Sequence, residues 1–551
     1  MKKLFFSSML LGGLMMASCS EDVMEAPKQE EVLKTYAQKF TEKFGPIAAD
    51  QDWNMAEGKS INVNGASRAA GDDLKIYAKY QGVYRLVAHF DDASQASYDF
   101  TTPADADKFI VTCGNEIQMV ENGGTVDFAE LSRTYAAEVD KVWKKHAGYT
   151  KFRKKDLVDS WSQLGGNNDN YGKGNLIDFK FYRNTTDENG KDGVVSVYPA
   201  YWDGREAYQN MYHELGIYYY NVDGEKVHVP VYTSKQGDDL KDNGVVIKND
   251  NLWKPTDKNK EYTIESRGFD VTLLDYAFGF YVDVYKDGVK TNRWYGVAAD
   301  NEEGRGVQMK LNKVSQLKLD NKSWYMLCIE AEINDGPDAE AFKDLFFWVG
   351  VSNNTQVITE EPQAYVLAVE DLGIDDDYDF NDIVFSISHV TGRPEATIKA
   401  LAAGGTLPAQ LKRIREDKTE ITIGGEFHSW FGASSSEMIN TTSGEWVQGA
   451  EVTIAVPVDF TMATNAPETM MGGFKVVVTK NGETVSVAAP NEGSAPQMIC
   501  VPAEWMWMEE RSEIDLAYPM FGKYGQGYAT TNWLEDANID TNYLYDANKA
   551  K

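Results

Sequence analysis

Turn-forming Asn-Gly and Asp-Gly pairs constrain the fold of this chain more than any other sequence feature. Such pairs adopt the positive φ angles that two-residue β-hairpin turns require. They occur between strand-like runs at Asn122-Gly123, Asn189-Gly190, Asp223-Gly224, Asp287-Gly288 and Asn481-Gly482. The pattern predicts repeated hairpins in a mainly β chain, with tandem β-sandwich (jelly-roll-like) domains and a small α+β N-terminal region.

Two amphipathic helices are predicted in the N-terminal part. The first covers residues 30–45 and ends at Gly45-Pro46. Its apolar residues fall at helical spacing: Leu33, Tyr36, Phe40 and Phe44. The second carries on one face Phe128, Leu131, Tyr135, Val139 and Val142. Trp53 lies in a compact polar turn after the first helix, and we interpret it as packing that helix onto the next sheet.

Composition shifts divide the 551 residues into five parts. We expect a signal peptide at 1–18, a tether at 19–29, an α+β region at 30–169, a β-sandwich at 170–392 and a β domain at 393–551. Strand-like runs are 75–80, 83–90, 109–120, 451–457 and 474–479. A polar surface loop is expected over 233–260.

The N-terminus has the pattern of a secretory signal. Lys2 and Lys3 precede an apolar run at 4–16, and Ala17-Ser18-Cys19 follows it. This segment resembles the bacterial lipobox, although Met16 stands where that motif prefers Leu. The resemblance implies that Cys19 is acylated. Ser20-Glu21-Asp22 resembles an export tag for the outer surface of Gram-negative cells. We therefore expect a lipid-anchored outer-membrane protein facing the exterior; the alternative is an ordinary secreted protein cleaved after Ser18.

Charge and cysteine usage bound the function further. The formal net charge of −31 argues against a nucleic-acid partner, because phosphate binding needs basic patches. Cys113 and Cys328 lie in strand-like runs and are predicted to be buried. With Cys500 they form no disulfide framework or CxxC metal site, although one bridge among the three stays open.

An acidic segment, EDLGIDDDYDFNDIVFSIS at 370–388, is the strongest functional signal. Its carboxylates repel one another at neutral pH unless the loop stays solvated or closes around a cation. Oxygen ligands without His or Cys favour calcium over zinc or copper. The candidate ligands are Glu370, Asp375, Asp377, Asp379, Asn381 and Asp382. The alternative is a solvated acidic turn. An EF-hand is excluded, because Asp382 and Ser388 replace its Gly and Glu.

Apolar alternation on both sides predicts that the acidic loop joins two strands with one buried face each. Tyr365, Leu367 and Val369 alternate before the loop, and Ile383, Phe385 and Ile387 alternate after it. In an extended chain, successive same-face residues of the loop would lie about 7 Å apart. The loop must therefore curl to bring its oxygens to one ion.

Besides the acidic loop, the chain contains LAAGGTLPAQL (401–411), EMIN (437–440), EIDLAYPMFG (513–522) and NYLY (542–545). These segments resemble the LruC-domain family of Gram-negative surface lipoproteins, whose function is largely unknown. FGPIAADQDWNMA (44–56) is similar to a motif near the tether of such proteins. This chain has Glu426-Phe-His-Ser429 where the family tends to have Ile-His-Glu. The resemblance implies a β-rich surface lipoprotein whose Asp/Asn loop holds calcium.

No catalytic motif is complete in the sequence. Tyr212-His-Glu-Leu-Gly216 begins like a zinc-protease HExxH motif, but Ile217 replaces the second His. Ser315-x-x-Lys318 lacks the Ser-Asp-Asn and Lys-Thr-Gly motifs that accompany it in serine hydrolases of this type. A glycosidase-type carboxylate pair is uninformative among 85 acidic residues. We therefore expect no enzyme, with an unrecognised glycan-active hydrolase as the minor alternative.

The sequence thus predicts a surface-anchored, calcium-binding lipoprotein with a non-catalytic role in adhesion or cell-envelope assembly. The expected partners are the outer membrane and another envelope protein or a glycan. A glycan-binding lipoprotein is the main alternative. Aromatic clusters that could stack on sugar rings are Trp505-x-Trp507 and Tyr218–Tyr220, and the competing interpretation of both is core packing.

Overall fold

A computed structural model shows a mainly β protein with several sheets and a short N-terminal helix, as predicted. It describes residues 35–64, 73–114, 116–128, 143–153, 175–183, 193–202, 210–221, 224–233, 263–272, 277–302, 308–314, 317–331, 344–371, 377–442, 446–461, 469, 471–528, 532–534 and 539–546. The predicted signal peptide, tether and Cys19 lie outside these ranges, as do Asp375, Ser315 and all but the first residue of the 233–260 loop.

Three short α-helices are present in the described part of the chain: Tyr36–Phe44 (α1), Ile514–Ala517 (α2) and Phe521–Gly525 (α3). Thr35 and Gln38 cap the start of α1 reciprocally, and Gly45 ends it with a φ of 90°. The first predicted helix is therefore confirmed over 36–44. The second lies outside the described residues beyond Phe128. Short 3₁₀ helices are Ala298–Asp300, Phe427–Phe431, Asn532–Leu534 and Thr541–Tyr543.

Two sheets contain the N-terminal strands. A three-stranded sheet has the order Ser97–Pro103 (β4), Ala56–Val63 (β1), Thr125–Val126 (β7). A ten-stranded sheet has the order Lys226–Thr233 (β13), Met211–Tyr220 (β12), Phe278–Lys286 (β15), Phe179–Arg183 (β10), Thr355–Pro362 (β20), Val83–Phe90 (β3), Leu74–Tyr80 (β2), Lys108–Cys113 (β5), Glu116–Glu121 (β6), and Val289–Tyr295 (β16) pairs with β15.

Three further sheets lie in the described part of the chain. The seven-stranded sheet has the order Trp143–Arg153 (β8), Thr263–Thr272 (β14), Val194–Trp202 (β11), Leu345–Val351 (β19), Ser323–Ile329 (β18), Met309–Lys313 (β17), Asn175–Leu176 (β9). The five-stranded sheet has Glu451–Ala455 (β26), Glu395–Ala402 (β23), Ile383–His389 (β22), Ala364–Val369 (β21), Met498–Pro502 (β29). The four-stranded sheet has Glu420–Glu426 (β25), Ala409–Ile414 (β24), Phe474–Lys480 (β27), Glu483–Ala488 (β28).

Some of the Asn-Gly and Asp-Gly pairs form the β-hairpins predicted for them, and others do not. The pairs at 287–288 and 481–482 join β15 to β16 and β27 to β28 as antiparallel hairpins. β12 and β13 also pair antiparallel, but Asp223 between them and the pair at 189–190 lie outside the described residues. Asn122-Gly123 does not form a hairpin, because β6 pairs with β5 whereas β7 pairs with β1. The single run predicted at 109–120 is two strands, since Gly114, with a φ of 56°, turns the chain between β5 and β6.

Strand pairing crosses both expected domain boundaries. β3, from the N-terminal region, lies beside β20 in the ten-stranded sheet, so the chain on either side of 169/170 shares one sheet. β22 and β23 form a hairpin across 392/393. Turn-forming residues indicate where a strand ends. Which strand it pairs with depends on burial against residues far away in the sequence, so the residues at the expected boundaries do not reveal the pairing.

Each core lies between packed layers. One apolar cluster joins the ten- and seven-stranded sheets, and another joins the three-stranded sheet to the ten-stranded one. A third contains α1, the five- and four-stranded sheets and the C-terminal helices. Cys113, Cys328 and Cys500 are buried and form no disulfide with one another. None of the described helices has the length and apolarity needed to cross a bilayer.

Candidate metal centre

The acidic loop joins β21 to β22, as predicted. These strands pair antiparallel, with Leu367 opposite Phe385 and Val369 opposite Ile383. The expectation of a single buried face was wrong, because Val366, Ala368 and Val384 are also fully buried. The five-stranded sheet is covered on both sides here, so both ends of the loop are held by a rigid core.

Left-handed backbone curls the loop. Tyr378 and Phe380 have φ angles of 56° and 51°, a region that aromatic residues rarely adopt. This conformation brings carboxylate oxygens of Glu370, Asp377 and Asp379 to within 4.8 Å of one another. Calcium–oxygen distances of about 2.4 Å allow two ligands of one ion to lie at most about 5 Å apart. The three carboxylates therefore fit a shared ion.

Two of the three clustered carboxylates are buried, and Asp377 is half-buried. Glu370 and Asp379 are 2% and 1% exposed, and no ion pair among the described residues involves either of them or Asp382. Backbone amides supply partial compensation. Glu370 Oε1 accepts from Phe380 N at 2.6 Å, and Asp379 Oδ2 accepts from the N–H of Arg511 at 2.9 Å. Buried carboxylates with so little neutralisation need a proton or a cation.

The pKa values of the carboxylates in and beside the cluster are raised. Burial, followed by the neighbouring carboxylates of Asp382 and Asp379, raises the pKa of Glu370 well above its usual value. Burial and Asp377 do the same to the pKa of Asp379. Burial and Asp371 raise the pKa of Asp382. All three shifts have one physical origin, which is negative charge held together away from water.

Two further oxygens border the cluster beside Gly404. Asn381 is 1% exposed, its Nδ2 donates to Met508 O at 3.2 Å, and its Oδ1 has no hydrogen-bond partner within the described structure. Glu510 Oε2 is likewise buried without a partner. A Cβ at Gly404 would lie 2.3 Å from Asn381 Oδ1 and 3.1 Å from Glu510 Oε2. Glycine at 404 thus lets these two side-chain oxygens lie close to the backbone beside the cluster.

A second glycine holds the other side of the loop. The Asp371 N–H donates to Asp382 Oδ2 at 2.6 Å. A Cβ at Gly405 would lie 2.6 Å from Asp371 Oδ2 and 3.2 Å from Asp382 Oδ1. The amides of Gly404 and Gly405 donate to the carbonyl oxygen of Asp382. The glycine pair therefore packs directly against the acidic loop.

His428 anchors that glycine pair. Its side chain is fully buried, with Nε2 lying 2.8 Å from Gly405 O and Nδ1 lying 2.8 Å from Glu426 Oε1. Although burial alone would raise the pKa of Glu426, hydrogen bonds from His428 and the Ala409 amide lower it. The sequence assigned no role to His428, and the structure gives it a positioning role beside the site.

The predicted ligands come together in large part. Glu370, Asp377 and Asp379 form the cluster, Asn381 and Asp382 border it, and Asp375 lies outside the described residues. Glu510, Asp371 and the glycine pair were missed as site residues. Segments 401–411, 437–440 and 513–522 converge here as well: the amide of Ile514 donates to Tyr378 O, and Glu510 N donates to Thr441 O, which directly follows EMIN.

Two other candidates from the sequence, the HExxH-like segment and the Trp505-x-Trp507 pair, have structural positions in the fold. The HExxH-like segment lies in strand β12 rather than on a helix, so His213 and Glu214 face opposite sides of the sheet and cannot share an ion. His213 is buried, whereas Glu214 accepts a hydrogen bond from the Tyr285 hydroxyl at 3.0 Å. Trp505 and Trp507 are buried in the core and are not a sugar-stacking platform.

No known family model matches this chain, and no curated protein matches it either.

Proposed function

We propose that this protein is a lipid-anchored outer-membrane lipoprotein that faces the cell exterior, binds calcium at the β21–β22 loop and has a non-catalytic role in adhesion or envelope assembly. The carrying observation is the cluster of Glu370, Asp377 and Asp379, in which Glu370 and Asp379 are buried. The repulsion between these carboxylates opposes folding. A bound divalent cation would replace this repulsion by attraction and so stabilise the folded state. Calcium would thus set the rigidity of the domain at the cell surface.

The donor set supports calcium in particular. All candidate donors are carboxylate or amide oxygens, which suits hard cations and not zinc or copper. Asn381 Oδ1 and Glu510 Oε2 add buried oxygens to the three clustered carboxylates. Magnesium demands a tighter octahedron and keeps its waters, so it should substitute poorly in a site with this many protein oxygens.

Calcium titration of matched variants tests the site. Asp379→Asn removes one charge while keeping the shape of the side chain. We expect calcium affinity to fall about 10-fold or more, because even residues that only support metal ligands contribute that much. Asp417→Asn is the control, since Asp417 is an exposed acid in a turn, where Oδ1 accepts from Thr419 N at 2.9 Å. Equal affinities of all three proteins would refute the site.

Surface display has its own test. Protease treatment of intact cells should remove the protein, and Cys19→Ala should release it from the membrane fraction. Complete protection in intact cells, with digestion only after lysis, would contradict an exterior location. Palmitate labelling of the wild type but not of Cys19→Ala would support the anchor.

Glycan binding is the second candidate, and one observation favours it. A cleft of about 140 Å³ on the ten-stranded sheet is lined by the half-buried Tyr220, Lys180 and Glu360, among others, whereas Tyr218 and Tyr219 are buried as core packing predicts. Aromatic rings beside charged hydrogen-bonding groups suit the CH faces and hydroxyls of sugars. A glycan array with the wild type, Tyr220→Ala and the exposed control Tyr528→Ala tests it. Silence across the array would count against this candidate.

A further inference from the structure

The acidic loop has two chemically different sides. In the DYDFN segment, Asp377 and Asp379 face the carboxylate cluster, while Tyr378 and Phe380 between them pack into the aromatic core. Tyr378 is 5% exposed and Phe380 is fully buried. The residues that would hold the ion therefore alternate along the chain with residues that make the packing contacts.

Helix α1 rests on the aromatic side of this loop. The ring of Tyr378 lies 5.5 Å from that of Tyr36, 5.8 Å from that of Phe40 and 5.4 Å from that of Phe44, measured between centroids. Lys43 Nζ lies 5.8 Å from the centre of the same Tyr378 ring. All three aromatic residues of α1 thus share Tyr378 as a neighbour, and Phe40 and Phe44 are buried.

The segment after α1 is held by the same C-terminal region. Trp53 packs 5.3 Å from the Phe521 ring, and its Nε1 donates to Ser494 O at 2.8 Å. Met55 N donates to Cys500 O at 3.0 Å. Trp53 packs against α1 as predicted, with its ring 5.8 Å from that of Phe40, but its other ring partners lie in the C-terminal region rather than on the next sheet. The N-terminal segment therefore docks on the domain that carries the acidic loop.

Packing and hydrogen bonds hold the acidic loop in its curled conformation, whereas repulsion between its carboxylates favours opening it. Tyr378 and Phe380 keep unfavourable positive φ angles only while surrounding contacts fix them. Those contacts include the Phe380 N–H bond to Glu370 and the Asn381 N–H bond to Asp379 at 3.2 Å. Repulsion between these same carboxylates favours a more open loop. A bound cation would remove the repulsion and hold Tyr378 against α1.

We infer that occupancy of the acidic loop by a divalent cation and docking of helix α1 are coupled, with Tyr378 as the residue that connects them. This inference rests on the proposed calcium site. Because coupling between two sites is reciprocal, docking of α1 must raise cation affinity by the same factor by which the cation favours docking. The N-terminal helix is thus a part of the calcium site that supplies no ligand.

Calcium affinity of Phe40→Ala tests the coupling from the side of the helix. Phe40 supplies no oxygen to the ion, so only coupling links it to the site. We expect about 5-fold weaker binding or more, the lower end of typical coupling between sites. Phe109→Ala is the control, because Phe109 is fully buried in a different cluster. Phe40→Leu, a milder change, should weaken binding less and serves if the alanine variant does not fold.

Hydrogen exchange tests the coupling from the side of the ion. The amides of 40–44 should exchange more slowly in calcium chloride than in a chelator, and Tyr378→Ala should abolish the difference. Equal exchange in both conditions, or an unchanged affinity of both Phe40 variants, would overturn the inference. If calcium still binds the wild type in that case, the calcium site stands without the coupling. Absence of any binding would instead refute the site itself.

Discussion

The Nε2 atom of His428 lies 2.8 Å from the carbonyl oxygen of Gly405, and this contact ties the 3₁₀ helix at 427–431 to the glycine turn beside the acidic loop. The other ring nitrogen lies 2.8 Å from Glu426 Oε1. Both ring nitrogens of this fully buried side chain thus lie within hydrogen-bond distance of an oxygen atom. His428 therefore positions the turn from inside the core.

His428→Ala should lower the free energy of unfolding by about 1–3 kcal/mol, because it leaves the buried Gly405 carbonyl without its donor. Calcium affinity should fall as well, since the glycine turn borders the ion site. Urea unfolding and calcium titration measure the two effects. His428→Gln, which can keep one bond, should lie between wild type and alanine; an alanine variant with wild-type values in both measurements would remove the positioning role.

Gly404→Ala should weaken calcium binding and destabilise the protein by about 1–3 kcal/mol through overpacking. The added methyl group would lie 2.3 Å from Asn381 Oδ1, so that side chain must move. Gly296→Ala is the matched control, because its Cβ would meet no atom closer than 3.5 Å. Chemical denaturation and calcium titration of both variants check the result. Similar behaviour of the two variants would mean that the space beside Gly404 is not needed.

Acid should destabilise the protein through His389. Burial lowers the pKa of this side chain from 6.5 to about 4 in the folded state. As the pH falls from 6.5 towards about 4, His389 becomes protonated in the unfolded chain but stays neutral in the folded one. The free energy of unfolding therefore decreases over this range. The slope from this one group is about 1.4 kcal/mol per pH unit.

His389→Asn isolates that contribution. The variant keeps a donor for Glu395 O, which lies 3.2 Å from His389 Nδ1, but it does not titrate. Unfolding free energies measured at about pH 7 and about pH 5 should show a smaller loss for the variant than for the wild type. Parallel losses in the two proteins would show that His389 titrates normally.

Trp507→Ala should destabilise the protein by about 3–5 kcal/mol, because the ring is fully buried and its Nε1 donates to Asn440 O at 2.7 Å. Tyr528→Ala should change stability by less than about 0.5 kcal/mol, since Tyr528 is 76% exposed. Thermal and urea unfolding compare the two. A Trp507→Ala variant as stable as the wild type would show that Trp507 is not a core residue.

The sequence revealed the local parts of the site. Alternation around Leu367 and Phe385 predicted the two strands, and the density of carboxylates predicted the cluster of Glu370, Asp377 and Asp379. The need for a curled loop followed from strand geometry alone, and the φ angles of Tyr378 and Phe380 confirm it. Each of these properties depends on residues close together in the chain.

The distant parts could not be predicted in this way. Glu510 lies far along the chain from the loop, and no local pattern distinguishes it from other acidic residues. The docking of Trp53 on Phe521 joins opposite ends of the described chain, and the pairing of β3 with β20 depends on burial across several layers. Local periodicity gives the type of an element but not its partner.

Thermal unfolding in calcium and in chelator tests the central claim most directly. Free calcium at about 100 times its dissociation constant should add about 2.7 kcal/mol to the stability of the folded protein. For a domain of roughly 200 residues this raises the midpoint by about 5–10 °C, and Asp379→Ala should lose most of that shift. Superimposable melting curves of the wild type in calcium and in chelator would show that the loop is only an acidic turn.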